Sequence, residues 1–420
     1  MLKIRKRFLS LYARNVPKNI RHNFNMDVIA GSFAGLHSGF FAPFFALISR
    51  QFFDASPFLI GLIVSAPYVG SLFAMFYSGV VSVNKEMKYY TCLSYFARLL
   101  LVASLFVDNA LSYCLLIFFF YLFSSIGAPQ YGIIIQRIYP ISYRAALMGY
   151  VRFFVSGLSL VATFVAGSYM KDSFFGVEAW RIFFAISGLC AATSTFYFSR
   201  VNVPNVEVIK EKKDSMFKFI GSSFSILKEN KNNTTIIISA FFFTFGMMML
   251  GTLIPIYQND VLKITTKDVS ILALVQNIFW IIGFPIWGKY IDKHNPVKAW
   301  NITCFLACVL PLNYFLVHDW HFLLVGQAVN GIFAAGTELA WFNMILYMFE
   351  IGKEQKYQAL HAFFSGIRGC VGAYCGATFI VIAQLANINI KYIFLISIFL
   401  MAFSVIFLIK LSKGKLTGRK

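Results

Sequence analysis

Twelve apolar stretches, each of a length that crosses a bilayer, fall six and six about a charged segment at residues 200 to 233. A helix needs roughly 20 apolar residues to cross a hydrocarbon core of about 30 Å. Only helices and closed barrels satisfy their own backbone groups there. The runs have helix length and lack the alternation of a barrel strand, so the expected fold is an all-α integral membrane protein with twelve transmembrane helices. The spans are read near 26–49, 58–82, 89–108, 110–135, 146–169 and 180–199, then 234–257, 269–288, 299–317, 322–349, 359–385 and 391–411. With 59% hydrophobic and 13% charged residues among 420, most of the chain is solvated by lipid.

The implied organisation is a basic tail (1–25), a six-helix bundle (26–199), a central loop (200–233), a second six-helix bundle (234–411) and a short basic tail (412–420). Of 37 Lys and Arg, 28 fall on the side holding both termini, six on the other and three (Arg98, Arg152 and Arg368) inside spans. By the positive-inside rule both termini are expected in the cytoplasm, in a bacterial inner membrane. The net charge of +20 is therefore a topology signal that meets anionic lipid, and nucleic acid is not an expected partner. All seven cysteines lie within spans, leaving no external disulfide framework. Neither Cys304 with Cys308 nor His318 with His321 has the neighbours of a metal site.

The halves repeat one another. Pro43 in span 1 corresponds to Pro255 in span 7, Gly79 to Gly288 at the ends of spans 2 and 8, and Tyr143, Arg144, Ala145 to Tyr357, Gln358, Ala359. The offsets are 212, 209 and 214 residues, and parallel six-span repeats are a transporter architecture.

With these features the chain resembles the major facilitator superfamily. That family carries G-x-x-x-D-[RK]-x-G-x-[RK]-[RK] between spans 2 and 3 and again between spans 8 and 9. The second copy here keeps Gly288, Asp292, Lys293 and Lys298, with Asn295 and Val297 departing from the pattern. The first keeps Gly79 and Lys88, but Val83 stands where the acid belongs. The resemblance implies a conformational switch at these loops and a structural role for Arg144 at the entry to span 5, where Tyr139, Pro140, Arg144 and Gly149 fit the family. It also implies two bundles rocking about a central solute site.

Charge inside the membrane costs roughly 2.5–3.5 kcal/mol at the bilayer centre on insertion scales, so such residues face a partner or a water-filled cavity. Glu338 in span 10 and Arg368 in span 11 reach similar depth on adjacent helices, either as a bridge or as solute and proton contacts. His37 in span 1 is the other candidate proton relay. Arg98 is expected to pair structurally, Asp27 and Arg152 to act as gate or structural residues near the boundary, and Asn330, Gln276, Asn277 and Gln130 to contact solute. Gly366, Gly369, Gly372 and Gly376 in span 11 suit a close or sliding interface.

No phosphate-binding loop, metalloprotease or nucleophile-elbow motif is present, so neither an ATP-driven pump nor an enzyme is expected. No cofactor is implied. The expected function is secondary active transport of a small solute by alternating access, by proton-coupled symport, as a monomer surrounded by lipid. Efflux of amphipathic compounds is the alternative within that class, although span 5 lacks the Gly-Pro pair of many drug exporters. A receptor or assembly factor without transport is the alternative outside it.

Overall fold

The computed structural model describes residue 16 and residues 20–80, 84–205, 231–294, 296–317, 319–348 and 354–413; the side chains at 75, 76, 78–80, 141–146, 231–233, 342, 345–348, 354–362 and 407–413 lie outside that description. In the first half, span 1 comprises Arg21–Phe41 and Phe45–Gln51, followed by Pro57–Val80, Glu86–Val102, Ala110–Ile138, Ile141–Tyr169 and Ala179–Phe198. In the second, Lys231–Ile256 is span 7, followed by Thr266–Lys293, then Pro296–Ala307 with Val309–Leu316 as span 9, then Leu323–Met348, Glu354–Leu385 and Ile393–Lys413. Eleven of these are long and apolar enough to cross a membrane, and span 12 is apolar over its described stretch Ile390–Ile406.

Local chemistry sets several boundaries. Asn109 accepts from the Ser112 amide at the start of span 4, and Thr265 with Asp268 forms a reciprocal capping box opening span 8. Proline breaks the two repeats at matching places. Span 1 is interrupted at Ala42–Phe44, around Pro43. Span 7 carries Pro255 in its last turn and passes directly into a π-helical turn, Tyr257–Val261. Proline removes a backbone donor and crowds the preceding turn, and π-turns are frequent at functional sites.

The helix pairings also repeat. Span 1 packs on 5 and 6, span 4 on 2 and 3, and span 3 on 6; correspondingly span 7 packs on 11 and 12, span 10 on 8 and 9, and span 9 on 12. Between the halves the main pairings are span 2 with span 11 and span 5 with span 8, which exchange under the same six-helix shift.

Lipid tails are as apolar as leucine, so close van der Waals approach and hydrogen bonds hold these helices together. Gly31, Gly35 and Gly39 lay span 1 directly on span 5: an added Cβ at Gly35 would strike the Val155 backbone, and one at Gly39 the Ser159 carbonyl. The large side chains left outside, including Phe153, Leu189, Phe305 and Phe399, then face lipid.

The centres of the two halves differ. The second is filled by indoles, with Trp287 and Trp300 buried together and Trp341 against them. The first is filled at the end away from the termini by Phe41, Tyr113, Trp180 and Phe184. Nearer the termini it encloses a cavity of about 230 Å³.

Gly35→Val is expected to cost about 1–3 kcal/mol through overpacking against span 5, whereas Gly157, with nothing within 4 Å of an added Cβ, should accept alanine within roughly 0.5 kcal/mol. Thermal unfolding of the purified variants in detergent checks the difference.

Candidate solute cavity and gate

A second cavity, of about 430 Å³, lies between the halves. Spans 1, 2 and 4 contribute Pro43, Phe45, Tyr68 and Tyr121, and spans 7, 8 and 10 contribute Pro255, Gln258, Gln276 and Gln327. The remaining lining is largely aliphatic. Gln258 donates to the Tyr314 hydroxyl at 2.7 Å, and the Gln327 carbonyl accepts from Asn330 at 3.0 Å. Gln276 has no hydrogen-bond partner among the described residues. Of the solute contacts expected from sequence, Gln276 lines this cavity and Asn330 supports it through Gln327, while Asn277 is half-buried beside it in sequence without lining it.

The cavity is roofed by a charge clamp between the two broken helices. Arg50, on the short outer piece of span 1, donates from Nη2 to Asp260 Oδ2 at 2.7 Å and from Nε to Asp260 Oδ1 at 3.0 Å. Its Nη1 reaches Asp54 at 2.7 Å and the Ala55 carbonyl at 3.1 Å. Asp260 sits on the π-turn of span 7, two residues beyond the cavity residue Gln258. Both side chains of the pair are largely covered, at 17% and 26% exposed, so this bidentate contact is shielded from water and worth more than a typical surface pair.

Other contacts between the halves lie on the same side or at mid-depth. Gly167 meets Ser270 and Thr266, Gly251 meets Val64, and Gly61 lies near Ala373 and Ala377. Gly366 and Gly369 receive Leu72 and the Tyr68 ring, whereas Gly372 and Gly376 seat span 7 within their own half. The glycine stripe of span 11 thus serves two interfaces at once.

Glu338 is exposed and forms no ion pair with Arg368, which is buried at 3% exposure within electrostatic reach of Tyr68. Equal depth does not bring the two together, because span 10 packs mainly on spans 8 and 9 and span 11 on spans 2 and 7. Glu338 lies eleven residues beyond Gln327, about three helical turns, and so shares its helix face, below the solute cavity.

His37 is anchored rather than poised. Its Nδ1 meets Ser187 Oγ at 2.7 Å, that hydroxyl donates back to the His37 carbonyl at 3.1 Å, and the ring packs on Phe41 and Phe120. This ties span 1 to span 6 and places His37 away from the cavity between the halves. Arg98 donates to Thr195 Oγ1, the structural pairing expected of it.

Asp27 is the buried carboxylate that depth counting assigns to the boundary. It is 3% exposed, accepts from the Tyr139 hydroxyl at 2.7 Å, and lines the cavity inside the first half with Tyr90, Arg98, Tyr131, Arg152 and Ser194. Among the described residues it has no ion-pair partner within 4 Å. The sequence signal that points to it is the Tyr139-Pro140 pair, which turns the chain at the foot of span 4 and aims the phenol at span 1.

The Major Facilitator Superfamily model matches residues 28–320. The chain belongs to this superfamily. It is accordingly a multi-pass membrane transporter and not an enzyme. Solved structures similar to this superfamily member include a point variant of the nucleoside transporter NupG, at 11% identity and TM-score 0.72, covering 92% of this chain and 100% of that one. A D-xylose–proton symporter aligns at 11% identity and TM-score 0.69 over 93% and 97%. A point variant of the E. coli fucose:proton symporter FucP aligns at 15% and 0.60 over 94% and 100%. At these identities the likeness is one of fold. No curated protein matches the chain.

The superfamily's loop motif is inverted in strength relative to its spelling. In the better-spelled second copy, Asp292, Lys293 and Lys298 are exposed, Asp292 has no ion pair among the described residues, and Gly288 has open space around it. In the poorer first copy, whose Val83 lies outside the described residues, Glu86 takes the acidic role three positions later. It is 5% exposed and receives Arg137 at 2.8 and 3.2 Å, tying this loop to the foot of span 4. Lys88 and Arg152 are exposed; the side chains at Gly79 and Arg144 are outside the description, as is His318.

Arg50→Ala is expected to weaken the clamp by about 1–2 kcal/mol, a five- to thirtyfold shift towards conformers with the ends of spans 1 and 7 apart. Spin-label distances across those ends measure it, and the reciprocal pair Arg50→Asp with Asp260→Arg should restore the short distance.

Proposed function

We propose that this superfamily member is a proton-coupled symporter of a small polar solute, with both termini in the cytoplasm and the conformation seen here open towards them. The clamp and the contacts beside it close the opposite face, while Glu338 on the cavity-facing side of span 10 is exposed. The lysine and arginine asymmetry supports the orientation.

The observation that carries proton coupling is Asp27. A buried carboxylate held by one neutral donor, in a cavity that admits water, is a group whose charge can be turned on and off during a cycle. The ionisable groups around it are Tyr139, Tyr131, Tyr90, Arg98 and Arg152. Two of the similar structures are described as proton symporters, of xylose and of fucose, which supports the same coupling here. Glu338 then serves as a carboxylate of the open vestibule, and Arg368 as a buried cation outside the lining, within electrostatic reach of Tyr68.

In proteoliposomes with an inward proton gradient, solute should accumulate, and a protonophore should abolish accumulation. Asp27→Asn is expected to retain exchange between the two sides while losing accumulation at least about tenfold. Tyr139→Phe, which removes only the hydrogen bond, should keep accumulation and displace its pH optimum. Accumulation unchanged in Asp27→Asn removes the coupling assignment.

A further inference from the structure

Among the described residues, the cavity between the halves carries no acidic, basic or imidazole side chain on its wall. We propose that the solute is an uncharged, hydrogen-bonding ring molecule of the sugar or nucleoside kind, and that Gln276 reads it directly; this rests on the transport reading above.

Charge balance excludes the alternatives first. A charged solute entering this space loses its hydration, and an uncompensated charge out of water costs several kcal/mol. The nearest ions above the cavity, Arg50 and Asp260, already neutralise each other. Arg368 lies within electrostatic reach of Tyr68 and is not part of the lining. Among the described residues the lining itself therefore holds no counter-ion of either sign.

The wall does offer amides and rings. A glutamine presents two donors and an acceptor, a set that matches hydroxyls or the edges of a neutral heterocycle. Two of the three glutamines are pinned: Gln258 by Tyr314, and Gln327 by Asn330. Both line the cavity with their side chains held in place. Gln276 lines the same wall without a hydrogen-bond partner among the described residues. A half-buried amide in that condition is free to hydrogen-bond whatever fills the cavity. Phe45, Tyr68 and Tyr121 add flat apolar faces that stack on a ring, while the volume of about 430 Å³ lies within the range of small-molecule sites.

Gln258 also gives recognition a mechanical outlet. It shares the five-residue π-turn with Asp260, so a solute that hydrogen-bonds Gln258 pulls on the segment holding the clamp. The reader and the latch are two residues apart.

The test uses the full chain in proteoliposomes and a panel of neutral sugars and nucleosides, each beside its charged counterpart: xylose and glucuronate, uridine and uridine monophosphate, with choline as a cation. Uptake of at least one neutral member and of none of the charged ones is expected. For that member, Gln276→Ala should raise the half-saturation concentration about tenfold with little change in maximal rate, and Gln276→Asn should recover part of it. Uptake of a charged probe in preference to its neutral partner overturns the proposal and leaves transport intact, as does an unchanged half-saturation constant in a Gln276→Ala protein that still transports. No uptake of any probe, with no thermal stabilisation by any of them, overturns this proposal and the transport reading together. Should Gln276→Ala fail to fold, binding of the neutral member to Gln327→Ala decides on the same criterion.

Discussion

Everything in this molecule depends on how closely two helix backbones approach one another in lipid. Without a hydrophobic force between helices, side chains must be absent where contact is needed. Span 1 meets that condition on span 5 with Gly31, Gly35 and Gly39, and span 11 meets it on spans 2 and 7 with four glycines. The bundles are held relative to one another by a few specific contacts, and the bidentate Arg50–Asp260 pair is the strongest of those described.

That clamp gains its meaning from where the helices are broken. An unbroken span 1 would carry Arg50 as one more residue of a rigid rod. The interruption at Pro43 separates Phe45–Gln51 as a short independent piece, and the π-turn after Pro255 does the same for the segment carrying Asp260. The same two prolines line the solute cavity. The cavity lining and the Arg50–Asp260 pair therefore share their structural elements.

Much of this is legible in the sequence. Twelve spans follow from hydropathy because the lipid requirement is severe and acts over about 20 residues at a time. The repeat follows from Pro43 and Pro255. What escapes is which helices meet. Glu338 and Arg368 match in depth, but spans 10 and 11, which follow one another in sequence, pack mainly on other helices, and only packing decides which helices and faces meet. His37, too, reaches a similar depth but packs against span 6 and is not among the residues lining the cavity between the halves. Asp27 is shallow by residue count, although burial there is decided by Tyr139, 112 residues away in sequence. Asp260 lies five residues beyond Pro255, and Arg50 seven beyond Pro43, so the repeat contains a hint of the clamp. The loop motif misleads in the opposite sense, because spelling ranks Asp292 above Glu86 while the buried ion pair forms at Glu86.

The two repeats share a helix arrangement but differ in compressibility. Indole rings pack together at the centre of the second half. The first half has a hollow beside Asp27, and a hollow can take up or release water as its walls shift. The symmetry of the backbone thus conceals a difference in filling, with indoles at the centre of one copy and a hollow beside a buried carboxylate in the other.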